Sequence, residues 1–263
     1  MSHKTTLKKL QKMKGHEKIV MITAYDALFA SIFDPYVDMI LVGDSLNMSF
    51  SGKRDTLSAT IDQMIYHTQA VCSKTEKSFV LFDMPFGTYS DKASALKNAV
   101  RVYQETGADA IKLEGGKEKA EVIRHLSDNA IAVFGHIGLK PQSVRSEGGY
   151  SIKGKSEQEK QEIIENALAL EKAGAAALII EGVKPDVAEA VTERVSIPTI
   201  GIGAGVECDG QVLVWSDMLG FFEEFMPKFV KQYLDGGKLV QEAVKQYAAE
   251  VKSGTFPDPS HTY

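Results

Sequence analysis

The heptapeptide AIKLEGG, residues 110–116, carries the most informative strand pattern in this sequence. Side chains of a β-strand alternate between two faces, so Lys112 and Glu114 share one face while Ile111 and Leu113 share the other. We interpret the heptapeptide as a buried strand that ends by bringing two opposite charges to one place. Polar groups that meet at the carboxyl ends of parallel strands are typical of an active site.

Seven further apolar runs alternate with segments of helical periodicity, and several of them also end in polar residues. They predict strands at residues 19–25, 39–43, 79–82, 131–134, 176–180, 199–205 and 211–215. The connections between them are long enough for parallel crossovers. The pattern therefore predicts an α/β fold, a single (β/α)8 TIM barrel with a parallel eight-stranded core.

The length of 263 residues is close to the ~250 residues of one such barrel, although two small domains would also fit. We expect one barrel domain over residues 1–263, with a C-terminal helical extension and tail. The extension consists of predicted helices at residues 221–233 and 238–251. Residues 253–259 are expected to form an extended tail.

The composition argues against several classes of partner. A net charge of -5 gives no general attraction to nucleic acid or to an anionic membrane. No run approaches ~20 apolar residues, and no apolar segment follows the lysines of the amino terminus, so we expect a cytoplasmic protein. Cys72 and Cys208 lie far apart without a Cys-x-x-Cys pair, which argues against a zinc knuckle or a disulfide framework. We expect both thiols to be inert.

Polar residues before the periodic segments predict where the helices begin. The predicted caps are Asp26 for a helix to residue 33, Ser58 or Thr60 for residues 61–74, Ser90 for residues 91–105 and Ser156 for a helix to residue 172. Gly107 fits the left-handed residue that commonly ends a helix. Residues 138–155 form a long polar loop after a strand, which we interpret as an active-site lid rather than a disordered segment.

Three carboxylates follow neighbouring predicted strands, namely Asp44, Asp83 and Glu114. In a barrel they would face one mouth, repel one another and raise their own pKa values unless a cation lay between them. Oxygen ligands favour a hard divalent ion, and Mg2+ commonly keeps positions open for substrate. The alternative is that each carboxylate caps a helix or pairs with an arginine.

Three other residues of the predicted mouth have candidate roles. Lys112 would neutralise the site or hold the carboxylate of an anionic substrate, unless it forms only a structural salt bridge. Glu181 follows an apolar run that would raise its pKa toward the range of a general base. His136 is a candidate acid or hydrogen-bond donor to the substrate, and equally a packed neighbour of the site.

The glycines of residues 201–205 allow two interpretations. Loops after the last two strands of this fold often bind phosphate. A glycine-rich stretch without a P-loop lysine is a weak signal, and close approach to a neighbouring strand or to a flat ligand explains it equally well.

Motifs from residue 42 onward resemble those of the ketopantoate hydroxymethyltransferase (3-methyl-2-oxobutanoate hydroxymethyltransferase) family. They are VGDSL (42–46), MIYHT (64–68), KLEGG (112–116), GHIGL (135–139), GGY (148–150), IPTIGIGAG (197–205), CDGQV (208–212) and the tail from residue 227 to residue 257. The resemblance covers nearly the whole chain in one order. It implies a Mg2+-dependent transferase of pantothenate biosynthesis that moves a hydroxymethyl group from 5,10-methylenetetrahydrofolate to 3-methyl-2-oxobutanoate, giving 2-dehydropantoate (ketopantoate).

The resemblance also implies site residues and an assembly. Matched motif by motif, Asp44, Asp83 and Glu114 resemble the metal ligands, Asp44, Ser45, Asp83 and Lys112 the 2-oxo acid site, and Glu181 the proton acceptor. Mg2+ would chelate the 2-oxo acid and stabilise its enolate, with Glu181 as general base. Family members are homo-oligomers, typically homodecamers of two stacked pentamers, and no nucleic-acid or membrane partner is implied.

Two departures from the family pattern lie after the second predicted strand. Asn47 replaces a usual glycine, and residues 49–54 replace a more usual loop. Asparagine tolerates left-handed backbone angles, so we expect the turn to survive.

Two rival functions are a phosphoenolpyruvate mutase or isocitrate lyase type of barrel, and a structural oligomer without catalysis. The first rival also chelates a 2-oxo acid on Mg2+, but commonly carries a Lys-Lys-Cys-Gly-His type of loop, which is absent from this sequence. The charged residues at five predicted strand ends argue against the second.

Overall fold

The computed structural model describes residues 4–222 and 226–263. The chain divides into two compact units, Met1–Val214 and Trp215–Tyr263. Among the described residues, no helix is both long enough and apolar enough to cross a bilayer.

The first unit alternates strands and helices along its whole length. Its strands are β1 Ile19–Thr23, β2 Met39–Val42, β3 Phe79–Asp83, β4 Ala110–Glu114, β5 Val133–Gly138, β6 Ala177–Glu181, β7 Thr199–Ile202 and β8 Gly210–Leu213. Its helices are α1 Leu7–Met13, α2 Ala27–Phe33, α3 Leu46–Ser49, α4 Ile61–Cys72, α5 Lys92–Glu105, α6 Ala120–Asp128, α7 Glu157–Lys172 and α8 Pro185–Arg194. Short 3-10 helices lie at Lys117–Lys119 and Pro141–Ser143.

The eight strands close into one barrel in sequence order, and each neighbouring pair is parallel. The (β/α)8 fold expected from the alternation is therefore confirmed. The register aligns Asp83 with Lys112, and it aligns Glu114 with His136. The polar ends of β3, β4 and β5 consequently lie side by side.

Strand alternation decides which side chains enter the barrel. Ala110 of β4 belongs to the apolar core cluster, and Lys112 and Glu114 follow it on the same face. The same spacing places Leu81 before Asp83, Phe134 before His136 and Ile179 before Glu181. The charged groups therefore form the layer above the apolar core, at the carboxyl ends of the strands.

The core below the charged layer is closely packed. Phe79 and Phe134 stack with ring centroids 5.8 Å apart, and both are buried. Truncating a buried phenylalanine to alanine costs about 3–5 kcal/mol, because the lost burial adds to the cavity that remains. The aromatic pair thus packs in the apolar core below the charged groups.

Three of the four capping predictions are confirmed, and one is wrong. Asp26, Thr60 and Ser156 accept a backbone N–H as expected. The predicted cap Ser90 is wrong. Asp91 caps α5, because its Oδ1 accepts the N–H groups of both Ala93 and Ser94.

Gly107 does not have the left-handed role predicted for it. It is absent from the positive-φ glycines, and α5 ends at Thr106 in extended conformation. A Cβ atom at residue 107 would lie 3.2 Å from the Cβ of Cys72. Close packing against α4, rather than backbone freedom, accounts for this glycine.

Several boundaries differ from the predictions. β5 begins two residues later and runs on through His136, while β7 ends at Ile202 instead of residue 205. Two short helices, α1 and α3, were not predicted. Both are only one to two turns long, and such helices are held by tertiary packing more than by a periodic sequence.

The second unit contains α9 Trp215–Met218, α10 Gly236–Ser253 and a 3-10 helix at Pro259–His261. Residue 215, predicted to end a strand, instead begins α9. The helix predicted at residues 221–233 is absent from the described residues 221–222 and 226–233, while residues 223–225 lie outside the described part. Pro227 provides no backbone donor, and Tyr233 bonds back to the carbonyl of Met218.

The C-terminal helix and tail follow the prediction only in part. The helix predicted at residues 238–251 is α10, which is longer at both ends and closes at Gly254 with a φ of 74°. Of the tail expected to be extended at residues 253–259, Ser253 ends α10, residues 254–258 lie outside helices and strands, and Pro259 begins the 3-10 helix.

Candidate active site

Lys112 lies at the centre of the charged layer. Its Nζ is 2.8 Å from Oδ1 of Asp83 and 3.8 Å from Oε1 of Glu114, and all three side chains are buried. Burial opposes the charge of Lys112, but the carboxylates of Asp83, Glu114 and Asp44 outweigh it and raise the lysine's pKa above its usual value. The lysine therefore stays positive and holds the carboxylates together.

Asp44 joins this cluster from the end of β2. Its backbone N–H donates to Oδ2 of Asp83 over 3.1 Å, and its own side chain is buried. Burial first, and then the charge of Asp83, hold the pKa of Asp44 well above its usual value. Burial also raises the pKa of Glu114. One lysine thus faces three carboxylates, so its single positive charge cannot neutralise all three when they are ionised.

His136 connects the lysine to Glu181. Its Nδ1 is 3.1 Å from Nζ of Lys112, and its Nε2 is 3.3 Å from Oε2 of Glu181. Burial and then the neighbouring Lys112 lower the histidine's pKa to about 4, so the ring is neutral near pH 7. Because the ammonium group donates to Nδ1, the ring proton is on Nε2, which makes no hydrogen bond within the described residues.

Glu181 has the properties expected of a general base. Desolvation raises its pKa to about 7, while the charge of Lys112 lowers this pKa and the charge of Asp83 raises it, each by a smaller amount. Its side chain remains 19% exposed, whereas that of His136 is 2% exposed. Glu181 is therefore the partly open end of a chain of polar groups that runs through Lys112 into the carboxylates.

Ser45 lies at the start of α3, next to Asp44. Its Oγ is 2.8 Å from the hydroxyl of Tyr25, and the residue is half-buried. The nearby Asn47 does not take the left-handed angles considered for it, since it lies within α3. Its amide instead donates to the carbonyl of Asp55 and to Oγ of Ser58. The departure from glycine thus fixes the loop after β2.

Residues 139–155 lie over the same end of the barrel. Arg145 pairs with Asp55 over 3.0 Å, which ties this loop to the loop after β2, and Lys153 pairs with Glu147 over 2.6 Å. Burial raises the pKa of Tyr150, which also feels the charges of Asp55 and Glu181. These contacts are consistent with a cover over the mouth, which is the interpretation given to the loop from sequence.

Two buried residues of the site were not among the candidates from sequence. The amide Nε2 of Gln142 donates to Oδ2 of Asp44 over 2.9 Å, and the backbone N–H of Gln142 donates to Oε2 of Glu114 over 3.0 Å. The hydroxyl of Tyr89 donates to Oε1 of Gln142. A neutral Gln between Pro141 and Ser143 in a polar loop has no local pattern that would have revealed this role.

The donors present suit a hard divalent cation. Asp44, Asp83 and Glu114 offer carboxylate oxygens only, and Oε1 of Glu114 is buried without a hydrogen-bond partner in the described chain. Across residues 4–222 and 226–263, however, no group of three or more His, Cys, Asp or Glu residues already has the arrangement of a metal cage. The three carboxylates therefore fit Mg2+ by the chemistry of their oxygen atoms.

The glycines after β7 are explained by close packing. A Cβ on Gly201 would lie 3.0 Å from Sγ of Cys208, and one on Gly205 would lie 2.9 Å from Cβ of Pro185. Gly205 also has a φ of 94°, which disfavours other residues. These contacts favour the second of the two interpretations given for this stretch. Cys208 itself is buried, and burial raises the pKa of its thiol.

Solved structures of other enzymes share this fold. A phosphonopyruvate hydrolase matches with a TM-score of 0.64 and 13% identity, covering 97% of this chain and 90% of that one. An oxaloacetate acetylhydrolase matches with a TM-score of 0.60 and 16% identity, covering 97% and 98%. At such low identity the likeness shows the barrel fold alone.

Sequence comparison is far more specific. The family model of ketopantoate hydroxymethyltransferase matches residues 4–259. A 3-methyl-2-oxobutanoate hydroxymethyltransferase of Sulfurimonas denitrificans (strain ATCC 33889 / DSM 1251) is 61% identical over 263 residues, covering 100% of both chains. One of Aliarcobacter butzleri (strain RM4018) is 59% identical over 260 residues, covering 99% of this chain and 97% of its own. The chain therefore belongs to the ketopantoate hydroxymethyltransferase family and is an enzyme of the transferase class.

Proposed function

We propose that this enzyme transfers a hydroxymethyl group from 5,10-methylenetetrahydrofolate to 3-methyl-2-oxobutanoate, forming 2-dehydropantoate for pantothenate biosynthesis. The observation that carries the proposal is Glu181, whose pKa is raised to about 7 and which lies beside the carboxylate and lysine cluster. A base of that pKa is half ionised near neutral pH, where proton abstraction is most efficient.

The 2-oxo acid would bind against the positive charge of Lys112, with Asp44, Ser45 and Asp83 around it. Lys112 is buried, so its charge acts at low dielectric and is strong toward an anionic carboxylate. A Mg2+ ion held by Asp44, Asp83 and Glu114 supplies, when bound, the positive charge that stabilises the enolate of the 2-oxo acid.

Glu181 would remove the single proton from carbon 3 of 3-methyl-2-oxobutanoate. The released electron pair forms the new bond to the methylene carbon of the folate, and one of the two carbon–nitrogen bonds of that carbon breaks. Water then replaces the second folate nitrogen, so that its oxygen becomes the hydroxyl group, and the two nitrogens take up the proton from carbon 3 and one proton from the water. The net reaction consumes one water and releases tetrahydrofolate. Nε2 of His136 lies 3.3 Å from Oε2 of Glu181, but it makes no hydrogen bond within the described part of the chain.

The experiment that tests this function is hydrogen exchange at carbon 3, followed by proton NMR in D2O with Mg2+ and no folate. The parent enzyme is expected to exchange the proton, and Glu181→Gln and EDTA-treated enzyme are expected to lose exchange. Glu162→Gln, on the exposed face of α7, is the matched control and should retain the parent rate. Absence of exchange in the intact, Mg2+-loaded enzyme would contradict the proposal.

We also propose that the chain forms a homo-oligomer, and the family resemblance leads us to expect a homodecamer. A cytoplasmic location is likewise part of the proposal. Native mass spectrometry of the purified chain distinguishes a decamer of ten 28.7 kDa subunits from smaller assemblies. A monomer under native conditions would refute the assembly without affecting the chemistry.

A further inference from the structure

We propose that Gln142 is a positioning residue for the metal site, which fixes the carboxylates of Asp44 and Glu114 so that their remaining oxygens can bind the cation. The inference rests on the proposed assignment of these carboxylates to Mg2+. Gln142 lies in the 3-10 helix Pro141–Ser143, outside the barrel strands, and is buried.

Both ends of Gln142 contact a proposed ligand. The backbone N–H donates to Oε2 of Glu114 over 3.0 Å. The side-chain Nε2 donates to Oδ2 of Asp44 and to the carbonyl of Met84, each over 2.9 Å. The two N–H bonds of the amide are thus both used, and one residue spans carboxylates that come from β2 and β4.

The orientation of this amide is determined by Tyr89. The tyrosine hydroxyl donates to Oε1 of Gln142, and its oxygen accepts the backbone N–H of Glu114 over 3.3 Å. Because the hydroxyl occupies the oxygen end of the amide, the NH2 end must face Asp44. The burial-raised pKa of Tyr89 is consistent with a hydroxyl that stays protonated and able to donate.

The hydrogen bonds therefore form a closed ring through Glu114, Tyr89, Gln142 and back to Glu114, with Asp44 attached at the amide. Within this ring Gln142 engages only Oε2 of Glu114, and Oε1 has no hydrogen-bond partner in the described chain. A hydrogen bond to one oxygen restricts rotation of the carboxylate, and this in turn restricts the direction of the other oxygen. Outer partners of this kind typically change metal affinity 10- to 100-fold, an order of magnitude that we expect here.

No other side chain of similar size supplies the same bonds. Gln142→Glu replaces the two donors by acceptors, which then face Asp44 and the carbonyl of Met84. Gln142→Met keeps the length of the side chain but donates to neither group. Tyr89→Phe keeps the ring packing and removes only the hydroxyl that orients the amide.

The test is Mn2+ affinity, measured by electron paramagnetic resonance on the folded protein without substrate or folate. Gln142→Met is expected to weaken Mn2+ binding about 10- to 100-fold, and Tyr89→Phe by a smaller factor. Combining the two changes should weaken binding by less than the product of the two single factors, because both act in part through one amide. Gln161→Met, on the exposed surface of α7, is the control and should bind like the parent.

The outcomes separate this inference from the proposed function. If the parent binds Mn2+ and folded Gln142→Met binds it equally well, the positioning role is refuted while the proposed function stands. If the parent binds no Mn2+, the assignment of the carboxylates fails and Gln142 loses its role with it. If Gln142→Met does not fold, Tyr89→Phe provides the test, since an unchanged Mn2+ affinity in Tyr89→Phe refutes a role for the hydrogen-bond ring.

Discussion

The Nε2 atom of His136 lies 3.3 Å from Oε2 of Glu181, while the opposite ring nitrogen of His136 lies 3.1 Å from Nζ of Lys112. The neutral imidazole therefore separates a permanent positive charge from the carboxyl group with a pKa of about 7. The histidine lies beside the glutamate without bringing a full charge to it, which leaves Glu181 able to change protonation state near neutral pH.

The first prediction concerns the pH dependence of carbon-3 exchange. A general base must be ionised, so the exchange rate should fall about tenfold for each pH unit below the pKa of Glu181, which is about 7. The measurement is the NMR exchange rate between pH 5 and pH 9 at saturating Mg2+. A rate that stays flat down to pH 5 would show that another group takes the proton.

The second prediction concerns His136. Its Nε2 lies 3.3 Å from Oε2 of Glu181 without making a hydrogen bond in the described chain, and replacing a polar neighbour of a carboxylate by an apolar ring raises the pKa of that carboxylate by desolvation. His136→Phe, which fills a similar volume, should therefore shift the pH at half-maximal exchange upward from that of the parent. A shift downward, or none at all in a folded variant, would mean that the histidine only packs beside the site.

The third prediction is that Glu181 reduces stability at alkaline pH. Its unfolded pKa is about 4.3, so between that value and about 7 the folded chain holds a proton that the unfolded chain lacks. The free energy of unfolding falls through this window by a total of about 4 kcal/mol. Glu181→Gln should exceed the parent in the free energy of unfolding at pH 8 and match it near pH 4.

Urea unfolding in EDTA, at matched protein concentration, measures this difference at both pH values. Glu162→Gln is again the control, because an exposed glutamate should show no such change with pH. A Glu181→Gln variant less stable than the parent at pH 8 would contradict the raised pKa.

The fourth prediction is that Lys112 stabilises the metal-free fold. Removing one partner of a buried ion pair costs about 3–5 kcal/mol, because the other charges remain buried without compensation. Lys112→Met should therefore lower the free energy of unfolding by that amount in EDTA at pH 8. Lys160→Met removes the pair with Asp186, in which the aspartate is 62% exposed, and should cost less than about 1 kcal/mol. Equal losses would argue against a central role for Lys112.

The fifth prediction is that Mg2+ raises the melting temperature of the folded enzyme. A ligand that binds only the folded state at one hundred times its dissociation constant stabilises by about 2.7 kcal/mol. EDTA should reverse the shift, and Asp83→Asn should abolish it by removing a proposed ligand. Calorimetric scans with and without Mg2+ provide the measurement, and an unchanged shift in Asp83→Asn would exclude that carboxylate from the site.

Local sequence predicted the barrel and most of the charged layer. Each strand carries its own apolar run, and the residue after the run is set at the carboxyl end by the parallel topology. Period-two alternation then puts Lys112 and Glu114 on one face whatever the rest of the chain does. The proximity of Lys112, Glu114, Asp83 and His136 followed from these local rules together with closure of the barrel.

Local sequence patterns did not predict the cap of α5, the role of Gly107 or the structure of residues 226–233 correctly. Ser90 and Asp91 are both good capping residues, and only the backbone path into α5 selects Asp91. Gly107 looked like a helix terminator, but contact with Cys72, distant in sequence, explains it. A helix was predicted across residues 226–233, yet the backbone N–H of Tyr233 donates to the carbonyl of Met218, which is distant in sequence.

The amino-acid sequence by itself thus determined the strand and helix alternation, the barrel and the chemical types at its mouth, because these depend on periodicity and on topology. Only the tertiary structure decided that Gln142 and Tyr89 bridge the proposed metal carboxylates, and that His136 lies between Lys112 and Glu181. The physical reason is that a hydrogen-bond ring depends on the directions of side chains from separate loops, which no periodic pattern in one segment encodes.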